Sequence, residues 1–307
     1  MSTISQSTEE RRSYKQGGCV YLLNDEAKTA WIVKGPRIGR RRRYRLPEYV
    51  MVEGERYVIE SIEMAAFGKA KCLKHLVIPD SIAYIDEYNF SSLPRLRSIY
   101  IGKGLEYVSS WIFHNNRKLR SFVISNDNPF LTVEHGIVYR KDANCAITTP
   151  FHRKHITVKE GTKEIFSTAF WWNKNLKSIT FPSTLKKIDD NGVANCENLK
   201  EVILPEGFEE CALQCFWGCT SLQLADLPST TKELEHESFH DCPNLRALII
   251  RCPELLLPHT CGDEPMDLPP CCTLYVPSHL VESYRQHPLW SSCKDVKSID
   301  DLSGYKR

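Results

Sequence analysis

No run of about twenty apolar residues occurs in this chain, so no segment reads as a membrane-spanning helix. The first eighteen residues, Met1 to Gly18, are polar and charged and lack the apolar centre of a secretory signal, so the sequence as given reads as cytoplasmic. Charge of one sign is missing too. Forty Lys plus Arg face 38 Asp plus Glu for a net charge of +2, which implies no whole-molecule attraction to nucleic acid or anionic membrane. The G-x-S-x-G, H-E-x-x-H, Walker and dinucleotide fingerprints are all absent, and the ten histidines are scattered, so catalysis has little support. What is present is apolar content, 42% of 307 residues, enough for a continuous core, and thirteen cysteines, an odd number.

The apolar residues are periodic. Leu73, Leu96, Leu119, Leu176, Leu199, Leu222 and Leu245 follow one another at intervals of 23 residues, except that Leu119 to Leu176 is 57. The long interval resolves if Arg153 holds the leucine slot of a degenerate copy behind an 11-residue insertion. Other slots then align. Six before the leucine stand Phe67, Phe90, Phe113, Ile147, Phe170, Val193, Phe216 and Phe239. Three and five after it come alternating apolar pairs such as Leu76/Ile78, Ile99/Ile101 and Val202/Leu204, the pattern of a strand with one face buried. Eleven before it, Ile62, Ile85, Val108, Ile165, Ile188, Cys211 and Leu234 give a second inward anchor, which Asp142 breaks in the degenerate copy. Each unit thus reads as a short strand, a turn often begun by proline (Pro79, Pro182, Pro205, Pro228), and a helical or irregular return ending in Phe. One unit alone has nothing to bury its apolar face against, so the copies are expected to stack.

The segment NLKSITFPSTLKKIDDNGVANCENLKEVILP resembles the BspA-like leucine-rich repeats found in surface proteins of gut and oral Bacteroides relatives. CTLYVPSHLVESYRQHPLW resembles that family's closing cap, and NPFLTVEHGIVYRKDANCAITTPFHRKHITV its hairpin-bearing variant repeat. The resemblance covers about residues 57 to 299 and implies adhesion, or binding of host proteins or glycans, at a cell surface. The expected fold is an α/β solenoid. It is a leucine-rich-repeat right-handed superhelix of short parallel strands, between a β-rich N-terminal cap and a C-terminal strand-helix cap. Residues 1–18 are expected to be disordered, 19–60 to form an antiparallel cap, 61–258 the repeats with the insertion near 126–150, and 259–307 a loop and closing cap.

Among the cysteines, Cys196, Cys219 and Cys242 recur three before the leucine, Cys211 fills an aliphatic slot, and Cys215 precedes a Phe-slot residue; all five read as small buried thiols. Cys252, His259, Cys261, Cys271 and Cys272 lie outside the register, and such donors fit tetrahedral zinc chemically, but the paired C-x-x-C spacing is missing, so no metal or other cofactor is assigned. Arg40–Arg43, then Tyr44 and Arg45, read as a solvated hairpin tip.

One residue after the leucine slot stand Lys74, Arg97, Arg120, Lys154, Lys177, Lys200, Gln223 and Arg246, a cationic ladder. It reads either as a track for an acidic ligand, a sulfated glycan or acidic peptide, or as long stems covering apolar surface. Positions two and four after the slot, including Tyr100 and His155, are expected to face outward. The candidate ligand-binding residues are therefore Lys74, Arg97, Arg120, Lys154, Lys177, Lys200, Arg246, Tyr100 and His155. The expected function is a non-enzymatic binding or adhesion module with a protein or glycan partner, without nucleic acid or membrane insertion. A cytoplasmic protein-protein scaffold is the alternative, and a metal-dependent enzyme, resting only on the Cys/His group, comes third.

Overall fold

The computed structural model describes residues 11–67, 70–113, 115–150, 152–259 and 264–302. The chain divides into two compact units, Met1–Val133 and Glu134–Arg307.

The N-terminal unit opens with strands β1 (Arg12–Gln16), β2 (Cys19–Asn24), β3 (Thr29–Lys34), β4 (Arg43–Arg45), β5 (Tyr49–Val52) and β6 (Glu55–Ile62). One sheet has the order β1-β2-β3-β6-β5. Its β1 strand lies inside the segment expected to be disordered. Gly17 and Gly18, both at positive φ, close a two-residue hairpin that pairs Arg12 with Leu23 and Gln16 with Cys19. Residues 1–10 lie outside the described residues. The cap is not purely antiparallel either, because β3 pairs with β6 in parallel. The end of β6 then pairs with β8 (Tyr84–Ile85), so the cap sheet runs on into the first coil and its apolar edge is covered.

The second sheet of this unit holds β4, β7 (His75–Ile78), β9 (Ser98–Ile101) and β10 (Ser121–Ile124), all parallel, in the order β10-β9-β7-β4. The register repeats by one coil, His75 opposite Ser98 and Ser98 opposite Ser121. The arginine run is therefore not a hairpin tip. Arg43 pairs with His75 and Arg45 with Val77, which makes β4 the first rung of the repeat sheet. Behind the sheet Phe67, Phe90 and Phe113 stack with centroids 5.2 and 6.3 Å apart.

A strand β11 (Leu131–Glu134) straddles the division of the chain. In the C-terminal unit β12 (Ile137–Arg140) and β13 (Cys145–Thr148) form the inserted hairpin. Beyond it one sheet runs through β15 (Glu164–Ile165), β17 (Lys187–Ile188), β19 (Glu210–Cys211) and β21 (Glu233–Leu234). The strands carrying the slot residues are β14 (His155–Thr157), β16 (Ser178–Thr180), β18 (Glu201–Ile203), β20 (Leu224–Leu227) and β22 (Ala247–Ile250), followed by β23 (Thr273–Val276) and β24 (Asp295–Ser298). Of these, β14 pairs with β16, and β18-β20-β22-β23-β24 form one sheet. Ile165 lies opposite Ala146, so Ala146 of the hairpin fills the inward place that the period assigns to Asp142. Asp142 is exposed, against Arg140.

Both units are β-solenoids with little helix, rather than α/β stacks. The second anchor of each coil lies in a two-residue strand, and the return is a chain of turns. The reason is local: left-handed residues recur at four-residue spacing, as in Thr168/Trp172, Asn191/Asn195 and Gln214/Gly218. A left-handed residue every fourth position stops an α-helix from nucleating. The four prolines behave as turn openers, each carbonyl accepting from the N–H three residues on, as in Leu185 to Pro182 and Phe208 to Pro205. The described residues hold one α-helix, Val281–Gln286. None of their helices is long and apolar enough to cross a membrane.

Leu176, Leu199, Leu222 and Leu245 are fully buried in one continuous core of the C-terminal unit. At its end the buried Tyr284 hydroxyl accepts from Leu256 N at 2.9 Å, and Trp290 Nε1 donates to Leu256 O at 3.2 Å. The closing segment thereby satisfies both backbone groups of one residue.

Candidate binding face

The slot after each leucine sits where one strand begins, and the backbone links consecutive slots directly. In the N-terminal unit Lys74 N donates to Arg42 O at 2.7 Å, Arg97 N to Lys74 O at 2.8 Å and Arg120 N to Arg97 O at 2.8 Å. Four cations therefore stand on adjacent rungs, roughly 4.8 Å apart. Arg42 completes a ladder of which the period revealed only Lys74, Arg97 and Arg120, because it precedes the first leucine slot and no repeat frames it. Arg42, Arg97 and Arg120 are exposed and Lys74 is half-buried. None of the four has a carboxylate within ion-pair distance among the described residues.

The electrostatic consequence falls on their neighbours. Arg42 first, then Arg97, Arg95 and Lys118, push the Lys74 ammonium below its ordinary pKa. His75 is lowered by burial and then by Arg43, Arg97 and Lys74. Its Nδ1 lies 2.7 Å from Ser98 Oγ, one coil on. The next outward row carries Val77, then Tyr100 and Val123, the last two exposed.

In the C-terminal unit Lys177 N donates to Lys154 O at 2.7 Å, Gln223 N to Lys200 O at 2.8 Å and Arg246 N to Gln223 O at 3.0 Å. Lys154, Lys177, Lys200 and Arg246 are all exposed. His155, also exposed, repeats the cross-rung pair, with Nδ1 2.8 Å from Ser178 Oγ. The surroundings differ from those of the first ladder. The positions before the leucines are Asn175, Asn198 and Asn244, and Glu201 enters the outward row. Not every outward position is open, either: Asp226 and Ile249 are fully buried. Asp226 accepts from Arg251 through both oxygens, at 2.8 and 2.9 Å.

Neither His-Ser pair has a carboxylate on the second ring nitrogen among the described residues. In a catalytic triad a carboxylate at that nitrogen orients the imidazole. What the face offers is hydrogen-bonding and cationic contact over a broad, shallow surface.

Five cysteines sit where the register places them, buried. Their packing adds something the period did not reveal. Cys196, Cys219 and Cys242 donate to the carbonyls of Phe170, Val193 and Phe216 at 3.4, 3.4 and 3.3 Å. Asn116, in the same slot one unit earlier, donates to Phe90 O at 2.8 Å. In these four copies the slot holds a buried donor that reaches the preceding coil, as thiol or as amide, whereas Ala70 and Leu93 fill it in the first two copies. Burial pushes the Cys242 thiol above its ordinary value, and that of Cys272 up to about 12.

Of the off-register group, Cys252 is buried and donates to Thr231 O at 3.2 Å, Cys272 is buried, and Cys271 is exposed with its thiol turned to Leu245 O. His259 lies 3.6 Å from Glu235, and Cys261 is outside the described residues. Among the described residues no three His, Cys, Asp or Glu side chains are grouped to hold a metal.

Comparison with known proteins agrees with this architecture. A family model described as BspA type Leucine rich repeat region matches residues 56–135 and 149–255 in six copies, more than half of the chain. Among solved structures, a leucine-rich repeat protein from Bacteroides ovatus superposes with a TM-score of 0.57 at 17% identity, over 94% of this chain and 76% of that one. At that identity the likeness shows the fold alone. A leucine rich cell surface protein from Faecalibacterium prausnitzii covers 95% of this chain and 96% of its own at 16% identity, TM-score 0.44. The pneumococcal vaccine antigen PcpA covers 95% and 99% at 16% identity, TM-score 0.45. No curated protein matches the chain.

Proposed function

The chain belongs to the BspA-type leucine-rich-repeat family, and from that premise we propose that it is a non-enzymatic binding module presenting its repeat sheets to a protein or glycan partner. The observation that carries this reading is the ladder of cations on adjacent rungs, Arg42, Arg97 and Arg120 exposed and Lys74 half-buried, with no carboxylate partner among the described residues. Solenoids usually bind through such extended surfaces rather than deep pockets. A partner contacts Lys74, Arg97, Arg120 and Tyr100 on one unit, and Lys154, His155, Lys177, Lys200 and Arg246 on the other. The family resemblance suggests adhesion at a cell surface as the setting. A glycan array and a host-protein pull-down with the folded chain test the reading, and blank results from both refute it.

A cytoplasmic scaffold is the second reading, favoured by twelve described cysteines that are all free thiols. Fractionation of native cells separates the two, since recovery at the surface excludes the scaffold.

A further inference from the structure

The cations of the N-terminal unit are denser than the repeat requires. Beside the rungs Arg42, Lys74, Arg97 and Arg120 stand the exposed Arg95 and Lys118, two residues ahead of Arg97 and Arg120. No carboxylate pairs with any of the six among the described residues. The short sheet of the C-terminal unit contrasts with this: Lys187 meets Glu210 at 2.7 Å, and Glu209 accepts from Lys186 at 3.1 Å and from Lys232 at 2.6 Å. Those lysines are neutralised, whereas the slot cations of both units stay open among the described residues, and those of the N-terminal unit alone have a Lys or Arg two positions ahead, at Arg95 and Lys118.

We propose that this sheet is the landing surface for a linear sulfated polysaccharide, its sulfate esters gripped by Arg42, Lys74, Arg97 and Arg120 with Arg95 and Lys118 alongside. The assignment rests on the binding-module reading and names the partner's chemistry. Four rungs span roughly 14 Å at the spacing of parallel strands, so the charges form a line across the strands rather than a pocket. A linear polymer with charge on successive residues matches a line; a single phosphate or carboxylate does not.

The neighbouring rows select among polyanions. Next to the cations runs the row His75, Ser98 and Ser121, which supplies the donors and acceptors that sugar hydroxyls use. One row further, Tyr100 exposes 37% of its surface between Val77 and Val123, a single ring for the apolar face of a sugar. A single-stranded nucleic acid needs a series of stacking rings, and this face has one. An acidic peptide that adds to a sheet binds along a strand edge through its main chain. The cations here run across the strands, where the backbone N–H groups are already spent on the next rung.

The test is direct binding to the full chain at low and physiological salt. The probes are a heparin-derived oligosaccharide, its chemically desulfated form, and a single-stranded oligothymidine of equal length. The heparin oligosaccharide is expected to bind, the desulfated form to bind far more weakly, and the affinity to fall as salt rises. The double variant Arg97→Ser/Arg120→Ser, at two exposed positions, is expected to lose about tenfold in affinity, from two charge-assisted contacts at a solvated surface. The control Lys186→Ser/Lys232→Ser removes the same charge from the C-terminal unit and is expected to change it less than about twofold. Equal binding of oligothymidine, equal loss in both variants, or no binding of the sulfated probe overturns the proposal. If the sulfated probe fails while the array or pull-down finds another partner, the binding-module reading survives and only this assignment falls.

Discussion

Asn116 offers the sharpest test of how the coils are held together. It is fully buried and makes three bonds, accepting from Leu93 N at 2.8 Å and donating to Phe90 O at 2.8 Å and Phe113 O at 2.7 Å. Asn116→Ala strands all three backbone groups in a dry core, each at about 1–3 kcal/mol. Relaxation and entry of water offset part of that sum, which leaves an expected loss of about 4 kcal/mol. Asn116→Cys imitates what the chain itself does at Cys196, Cys219 and Cys242, where one thiol reaches one carbonyl of the preceding coil. It restores the bond to Phe90 but not the acceptor for Leu93, so about a third to a half of the loss is expected back. Urea unfolding followed by far-UV circular dichroism measures the change. Hydrogen exchange over residues 88–120 assigns it to the N-terminal unit. An alanine variant that loses less than about 1 kcal/mol, or a cysteine variant no better than alanine, refutes the equivalence of the two side chains.

Three further outcomes follow from the same structure. Gly218→Ala places a Cβ 2.7 Å from Asn195 Oδ1 at a backbone φ of +69°, and is expected to lower stability by about 1–2 kcal/mol in urea melts; a neutral variant contradicts the tight coil contact. Under native conditions at pH 8, maleimide labelling read by mass spectrometry should modify the exposed Cys271 well ahead of the fully buried Cys215 and Cys219, whose burial holds them as thiols; equal rates refute the packing. Glu164 is half-buried, and burial, then Asp189 and Glu210, raise its carboxyl pKa. A raised acid pKa makes the folded state the stronger proton binder, so the ionised group opposes folding at neutral pH and ceases to do so as pH falls below the unfolded carboxylate value of about 4.3. Glu164→Gln should therefore melt higher than the parent at pH 7 and level with it near pH 4, and a lower melting point at pH 7 refutes the sign.

The solenoid was legible because burial repeats once per coil. A leucine slot at 0% exposure tolerates little else, so Leu176, Leu199, Leu222 and Leu245 announce themselves without any structure. The return was not legible as turns, because the residues that set it, Thr168, Asn191 and Gln214 in one slot and Trp172, Asn195 and Gly218 in the other, share a backbone angle and no side-chain type. The same blindness hid the equivalence of Asn116 and Cys219, which differ in hydrophobicity yet bond the corresponding carbonyl of the preceding coil, Phe90 and Val193. In the degenerate copy a count of residues leads to Asp142, while the hairpin delivers Ala146. A period counts positions along the chain, and an insertion that folds back on itself changes which position arrives at the core.

The candidate face shows the same limit in its electrostatics. The sequence presents the cationic slot as one ladder, because identity at a slot is what a repeat displays. Potential is a sum over neighbours, and the neighbours differ. Around Lys74 the flanking groups are Arg42, Arg95, Arg97 and Lys118, and their field is strong enough to depress its pKa. Lys177 also has a cationic rung beside it, Lys154, but the positions two ahead of Lys177 and Lys200 are Asn175 and Asn198, and Glu201 adjoins Lys200. Toward the C-terminal rungs the outward row closes altogether where Arg251 binds the buried Asp226. The slot is shared by nearly every coil, so it cannot by itself distinguish a coil that binds from one that only stacks. The residues that make the distinction are the variable ones beside it, such as Arg42, Arg95 and Lys118, and those carry no period to reveal them.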